Sequence, residues 1–176
     1  MLLFVDDMVI IGNREGDVLE FMKELTLKYE IEDLRISKMF QGMKVSYLEE
    51  GIKLSLDVKT LEMLERFNMS GSNPVSTPAS EGLAGELYKA ELNCREGLES
   101  EVDLPVREAV GAMLYLAMMV RPDICNAVRE LSRYLEHPTM AVVKGIKRVL
   151  RYLSGTVDYG IVFYYGKVNP TVEVLS

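Results

Sequence analysis

The sequence predicts an α+β fold, and three observations carry that expectation. Short apolar runs rich in branched residues, set around turn residues, fall within residues 1–56. Amphipathic helical spacing takes over from Pro105 to Gly155. Between them, residues 70–104 are rich in Ser, Gly, Asn, Pro and acid. Strands followed by a run of helices, without alternation, is an α+β pattern. At 176 residues and 48% hydrophobic content the chain can bury a sizeable core, as one domain or one plus a small appendage.

The opening stretch, Leu2-Leu3-Phe4-Val5-Asp6-Asp7-Met8-Val9-Ile10-Ile11-Gly12, sets two short apolar runs around an acidic pair. Each run reads as a buried strand, and together they predict a tight hairpin with Asp6 and Asp7 at its tip. Asp-Asp is not a favoured hairpin turn, and adjacent carboxylates repel. Neither turn chemistry nor stability selects the pair, and such local conflicts tend to fall at functional sites. A divalent cation such as Mg²⁺ relieves the repulsion, which makes Asp6 and Asp7 candidate metal ligands.

Asn13 is positioned to cap a following helix. Val18, Met22, Leu25 and Tyr29 give that helix an apolar stripe, with Leu19 and Phe21 alongside, expected to pack on the hairpin as core. Residues 30–56 read as strands. Met39 to Val45 alternates apolar and polar around Gly42, Glu49-Glu50-Gly51 is a turn, and Ile52 to Leu56 alternates on the return. Gly42 implies either a bulge or a close backbone approach. Asp57 can cap a helix carrying Leu61, Leu64 and Phe67, ending near Asn68.

Asn73-Pro74-Val75-Ser76-Thr77-Pro78 must be extended, because each proline biases its predecessor away from helix. Pro105 opens a helix to about Met119, with Gly111, Leu114 and Met118 on one face. Pro122 opens a second with Val128, Leu131 and Leu135 inward, and Pro138 ends it. Thr139 caps a third with Val142, Val143, Ile146, Val149, Leu150 and Leu153 inward, and Gly155 stops it. On that helix Lys144, Lys147, Arg148 and Arg151 form a basic stripe that no acid interrupts between Thr139 and Thr156. It is either a solvated face or a surface for phosphates. Tyr159 to Tyr165 predicts a last strand before a polar tail.

The net charge of −7 is unusual for a nucleic-acid binder, but its distribution is uneven. Residues 1–103 hold 11 basic and 21 acidic residues, whereas residues 104–176 hold 9 and 6. No apolar run approaches the roughly 18–20 residues of a membrane span, so no membrane partner is expected. No basic segment precedes the first apolar run, so it is not expected to be a signal peptide. Cys94 and Cys125 have no CxxC spacing and read as free thiols of a reducing compartment. His137, the only histidine, reads as a boundary residue and not a zinc ligand.

Phe4-Val5-Asp6-Asp7 resembles the Tyr-Val-Asp-Asp box of reverse transcriptases. Further blocks are similar to the Ty1/copia class of retrotransposon Pol polyproteins. In order they are Asp33-Leu34 with Phe40-Gln41-Gly42-Met43-Lys44-Val45, Arg66-Phe67-Asn68-Met69, and Pro74-Val75-Ser76-Thr77-Pro78. Ala109-Val110-Gly111-Ala112-Met113-Leu114-Tyr115, Arg121-Pro122-Asp123-Ile124 and Leu150-Arg151-Tyr152-Leu153-Ser154-Gly155-Thr156 follow. The resemblance covers residues 1 to about 165. Phe4 stands for the commoner tyrosine, and Arg35 and Gln41 for a usual glycine and leucine.

The resemblance implies a partial polymerase palm (catalytic hairpin, helix, second hairpin) over 1–69, an acidic linker over 70–104, and a helical thumb-like part over 105–157. Residues 158–176 would lead towards an RNase H domain whose aspartates are not seen in the tail. It further implies that Asp6 and Asp7 belong to three aspartates holding two Mg²⁺ ions for templated phosphodiester synthesis. The third aspartate and the fingers belong to earlier segments, and none precedes Met1, so the chain by itself is expected to be inactive. Phe4, Phe40, Gly42, Gly111, Lys144, Lys147, Arg148 and Arg151 become candidate primer or template contacts. The implied partners are an RNA template/DNA primer duplex, a dNTP, and other Pol segments such as integrase and RNase H. The implied setting is cytoplasmic, in a virus-like particle. The alternative is a non-catalytic nucleic-acid-binding remnant of a transposable element. A phosphotransfer receiver domain needs alternating strands and helices, which the helical run from Pro105 to Gly155 contradicts.

Overall fold

A computed structural model describes residues 1–4, 7–32, 38–95, 104–166 and 173–175. The fold is α+β, with helices on one antiparallel sheet and a separate two-stranded ribbon. Strands β1 (Leu2–Phe4) and β2 (Asp7–Val9) form the ribbon, with Leu2 opposite Val9 and Phe4 opposite Asp7. The register corrects the expected tip. Val5 and Asp6 are the connecting pair, outside the described residues, and Asp7 is the first residue of β2. The ribbon is also less buried than expected, with Leu3 64% exposed. A lone pair of strands has no second layer to cover it.

Helix α1 (Glu15–Lys28) starts after Arg14, not after an Asn13 cap, and has no side-chain cap bond. Its stripe is not core: Val18, Met22 and Leu25 are half-buried, and Leu19, Phe21 and Tyr29 are exposed. The apolar residues run too far around the helix for one face to cover them, with Leu27 the most exposed. No described residue before Met43 joins the main core cluster.

The sheet has the order β3 (Met39–Phe40), β4 (Met43–Tyr47), β5 (Gly51–Ser55), β6 (Gly160–Tyr164), β7 (Glu173–Leu175), antiparallel throughout. Met39 to Val45 is therefore a hairpin, not a single interrupted strand. Gln41 (φ 51°) and Gly42 (φ 78°) form its turn, and positive φ at both positions is what a type I′ turn requires. The last strand returns beside β5, and the tail adds β7. Where β5 and β6 pair, a Cβ at Gly51 would overlap the Phe163 carbonyl, and one at Gly160 the Leu54 carbonyl.

Helix α2 (Asp57–Arg66) buries Thr60, Met63 and Leu64, with Phe67 just beyond. Leu61, expected inside, is exposed beside Val58. Asp57 is the first helical residue, not the cap. It accepts a hydrogen bond from Lys44 Nζ at 2.9 Å, which ties β4 to the helix start. Desolvation pushes the Asp57 carboxyl up, but hydrogen bonds from Ser55, Lys44 and the backbone outweigh it and hold it below the usual carboxylate value.

The stretch expected as a linker contains helix α3 (Leu83–Arg95), whose buried Leu83 and Leu87 sit four apart. Helices α4 (Val106–Met119), α5 (Cys125–Ser132) and α6 (Met140–Ser154) follow, with a 3-10 turn at Pro122–Ile124 before α5. Helix α5 stops well before Pro138. All six apolar positions expected inward on α6 are buried, and α6 packs on α2, α3, α4 and α5. Thr139 precedes α6 but makes no cap bond, and its hydroxyl is buried without a partner. Gly155 does not adopt the expected left-handed stop (φ −88°). Its lack of a Cβ matters because Pro74 Cβ would lie 2.8 Å away.

Arg121 is 1% exposed and closes the helical part. It bonds Asp123 through Nε (3.0 Å) and Nη2 (2.8 Å), and Thr156 through its carbonyl (2.8 Å) and hydroxyl (2.7 Å). The Tyr152 hydroxyl donates to Asp123 at 2.9 Å, and the Tyr152 and Tyr159 rings flank the guanidinium. A buried charge demands such partners.

Candidate metal hairpin and nucleic-acid interface

The first candidate site is the β1–β2 ribbon. Its two-residue connection is the shortest common hairpin loop, and it fixes where the acidic pair stands in the chain. Asp6 occupies the connection, and Asp7 starts β2 opposite Phe4. The side chains of Phe4, Asp6 and Asp7 lie outside the described residues. Consecutive carboxylates at a hairpin end are hard oxygen donors of the kind Mg²⁺ selects. Two carboxylates form a partial donor set for such an ion. Among the described residues there is no group of three or more His, Cys, Asp or Glu placed to hold a metal.

The second candidate site is the Gln41–Gly42 turn. Phe40 and Gly42 are half-buried. The Tyr115 hydroxyl of α4 donates to the Gln41 carbonyl at 3.4 Å. A Cβ on Gly42 would stand 3.9 Å from Tyr115 Oη and 4.0 Å from Lys59 Cε. The structure thus joins two predicted contacts, Gly42 and the helix of Gly111, through Tyr115. The Lys59 amine is held above its usual value by its hydrogen bond to Glu62.

Gly111 lies in mid-helix on the outer face of α4, one turn before Tyr115. Nothing stands within 4 Å of where its Cβ would be. A mid-helix glycine costs about 1 kcal/mol relative to alanine. Packing within this chain does not require it. The outer face continues to Met118, which is 81% exposed.

The third candidate is the α6 stripe, and the structure divides it. Arg148 Nη2 bonds Thr77 Oγ1 at 2.8 Å, and Arg151 Nε bonds the Asn73 carbonyl at 2.6 Å. Both arginines hold the 73–78 segment against the helix; that segment was expected to be extended, and it bends at Ser76 and Pro78. Lys144 and Lys147 are exposed. All four border a groove of about 520 Å³ that Leu83 and Glu86 of α3 also line.

Sequence reasoning missed Tyr115, Thr77 and the Arg121 cluster as structural partners. The signals were present only as single residues inside larger blocks, and periodicity does not report a hydroxyl or a buried arginine. Cys125 is a free, exposed thiol, and His137 is exposed. Among the described residues no helix is long and apolar enough to cross a membrane.

The reverse transcriptase (RNA-dependent DNA polymerase) family matches residues 1–81. The chain is similar to the reverse transcriptases of Ty1/copia-type retrotransposon Pol polyproteins. It is 35% identical over 178 residues to the retrovirus-related Pol polyprotein from transposon TNT 1-94 of Nicotiana tabacum, covering 98% of this chain and 13% of that protein. It is 34% identical to the Pol polyprotein from transposon RE2 of Arabidopsis thaliana, covering 92% of this chain and 10% of that protein. An uncharacterized mitochondrial protein of Arabidopsis thaliana is 29% identical over 92% of this chain and 63% of its own length. The chain therefore spans a small share of the Pol polyproteins it matches, whose other segments lie outside the match. No solved structure matches.

Proposed function

We propose that this chain supplies the metal-carboxylate hairpin and the duplex-holding helical part of an RNA-directed DNA polymerase. The observation that carries the reading is the β1–β2 register, which sets Asp6 in a two-residue connection and Asp7 at the start of β2. Asp6 and Asp7 would hold Mg²⁺, which when bound activates a primer 3′-hydroxyl and stabilises the leaving pyrophosphate of a dNTP. The ribbon's part would be to bring the two carboxylates to phosphate oxygens.

The Gln41–Gly42 turn and the outer face of α4 then steady the primer end. Gly42 and Gly111 leave room for close backbone approach, and Tyr115 links the two elements. Lys144 and Lys147 meet backbone phosphates of the template–primer duplex. By family resemblance the reaction also needs a third aspartate, and in this reading the chain works together with other Pol segments.

The test is a chimera in which this chain replaces the homologous segment of the tobacco relative. Primer extension that depends on Asp6 and Asp7 supports the reading. Full extension by the isolated chain with Mg²⁺ would refute the claim that it acts as a part.

A second reading, nucleic-acid binding without catalysis, is favoured by the exposed lysine pair on α6. It is distinguished by duplex binding that persists while every chimera stays inactive.

A further inference from the structure

Thr77 is the only serine or threonine followed by proline in the sequence. It is exposed, in the irregular segment between α2 and α3, which bends at Ser76 and again at Pro78. Its hydroxyl accepts a hydrogen bond from Arg148 Nη2 at 2.8 Å and donates to the Ala79 carbonyl at 3.0 Å. Arg148 Nε is buried with no hydrogen-bond partner. Guanidinium donors removed from water are normally satisfied, so this nitrogen is an unused donor on the side chain that already grips Thr77. Arg151 holds the same segment at Asn73, and Lys144 and Lys147 lie on the same helix.

We propose that Thr77 is a phosphorylation site for a proline-directed serine/threonine kinase, and that Arg148 receives the phosphate. Such kinases take an exposed hydroxyl residue outside regular secondary structure and followed by proline, which is what Thr77-Pro78 presents. Thr77 Oγ1 attacks the γ-phosphorus of ATP and forms the Oγ–P bond. The bond to the ADP leaving group breaks, and the hydroxyl proton passes to the kinase base. Phosphate oxygens match a guanidinium fork, and Arg148 offers both the nitrogen now bound to the hydroxyl and the unused Nε. The modification adds about −1.5 to −2 charge beside the α6 stripe. It fastens the 73–78 segment to α6 and cancels part of the positive field. The consequence for nucleic-acid binding rests on the proposed function; the contact between phosphate and Arg148 does not.

The experiment treats the whole chain with a proline-directed kinase and Mg-ATP, maps the site by mass spectrometry, and follows the phosphate by phosphorus NMR against pH. We expect one phosphate, on Thr77. We expect it to titrate at lower pH in the folded chain than in a phosphorylated peptide of residues 73–79. Arg148→Ala should remove that difference, and Arg148→Lys, which retains a charge if the alanine variant misfolds, should keep part of it. Duplex affinity at about 0.1 M salt should fall roughly sixtyfold on modification, as expected when roughly two backbone contacts are neutralised. No phosphate on Thr77, or identical titration in chain and peptide, overturns the proposal. If the unmodified chain does not bind duplex, the nucleic-acid reading fails, and the phosphorus titration still decides the modification site.

Discussion

Arg121 and Asp123, two residues apart, form a forked ion pair in which Nε and Nη2 of the guanidinium meet the same carboxylate at 3.0 and 2.8 Å. The arginine is 1% exposed, and its remaining nitrogen is anchored on the Thr156 carbonyl after α6. The pair therefore joins the end of α4 to the end of α6. Removing one partner leaves a buried charge unmatched. Asp123→Ala is expected to lower the unfolding free energy by about 3–5 kcal/mol. Arg121→Lys should also destabilise, because a point charge cannot replace the planar fork. Urea denaturation monitored by helical circular dichroism measures both; a loss near zero would show that the cluster does not hold the helices together.

The same cluster sets an alkaline limit. Burial, then the hydrogen bond to Asp123, raises the Tyr152 hydroxyl from 10.0 to about 12. A raised value means the folded state keeps the proton more tightly than the unfolded state. The resulting stability is present below pH 10.0 and is lost as pH rises towards about 12. Tyr152→Phe should lower stability at neutral pH and flatten its decline over that alkaline range. Thermal melts at several pH values compare the two chains, and parallel alkaline declines would contradict the assignment.

Gly111 separates stability from function. Its Cβ position is open, so Gly111→Ala should stabilise the chain by about 1 kcal/mol through helix propensity alone. If the outer face of α4 lies against a duplex, the added methyl weakens duplex binding while stability rises. A gain in melting temperature with unchanged binding would remove Gly111 from the interface.

The α6 stripe makes a divided prediction. Lys144→Ala with Lys147→Ala should make the dependence of log affinity on log salt shallower by roughly 2, about 0.9 per lost phosphate contact, with little effect on stability. Arg151→Ala breaks the 2.6 Å bond to the Asn73 carbonyl and should cost about 1–2 kcal/mol of stability. Salt titrations of duplex binding and denaturant curves on the same variants separate the two roles. An unchanged slope in the lysine pair would refute its contact with phosphates.

How far the sequence could be read depended on what each element relies on. Helix α6 was legible to the residue, because a buried face repeats at helical spacing and Val142 to Leu153 obey it. Helix α1 showed a comparable stripe, yet none of its residues is buried, since spacing reports an apolar face and not whether anything covers it. The ribbon was legible as a hairpin, but its register was misplaced by one residue, because the acidic pair drew the expected tip onto Asp7. Gly42 signalled a special backbone, and only the positive φ at Gln41 beside it revealed a turn instead of a bulge. In α3, Leu83 and Leu87 were too few against acidic neighbours to stand out. Arg121 gave no periodic signal, since a buried arginine depends on partners as distant as Thr156. Of the candidate site, the acidic pair and the basic stripe were visible as residues. The division of the stripe between the 73–78 segment and solvent was not, because it depends on tertiary contacts.

The central claim is that Asp6 and Asp7 are metal carboxylates of a polymerase to which this chain contributes a part. The most direct measurement is primer extension by the chimera carrying this chain, with Asp6→Asn and Asp7→Asn made one at a time. Templated extension is expected from the unsubstituted chimera, with a loss of about a thousandfold or more in each variant, on the scale of removing a principal source of transition-state charge stabilisation. Extension that survives both substitutions within about tenfold, a barrier change of only about 1.4 kcal/mol, would contradict it.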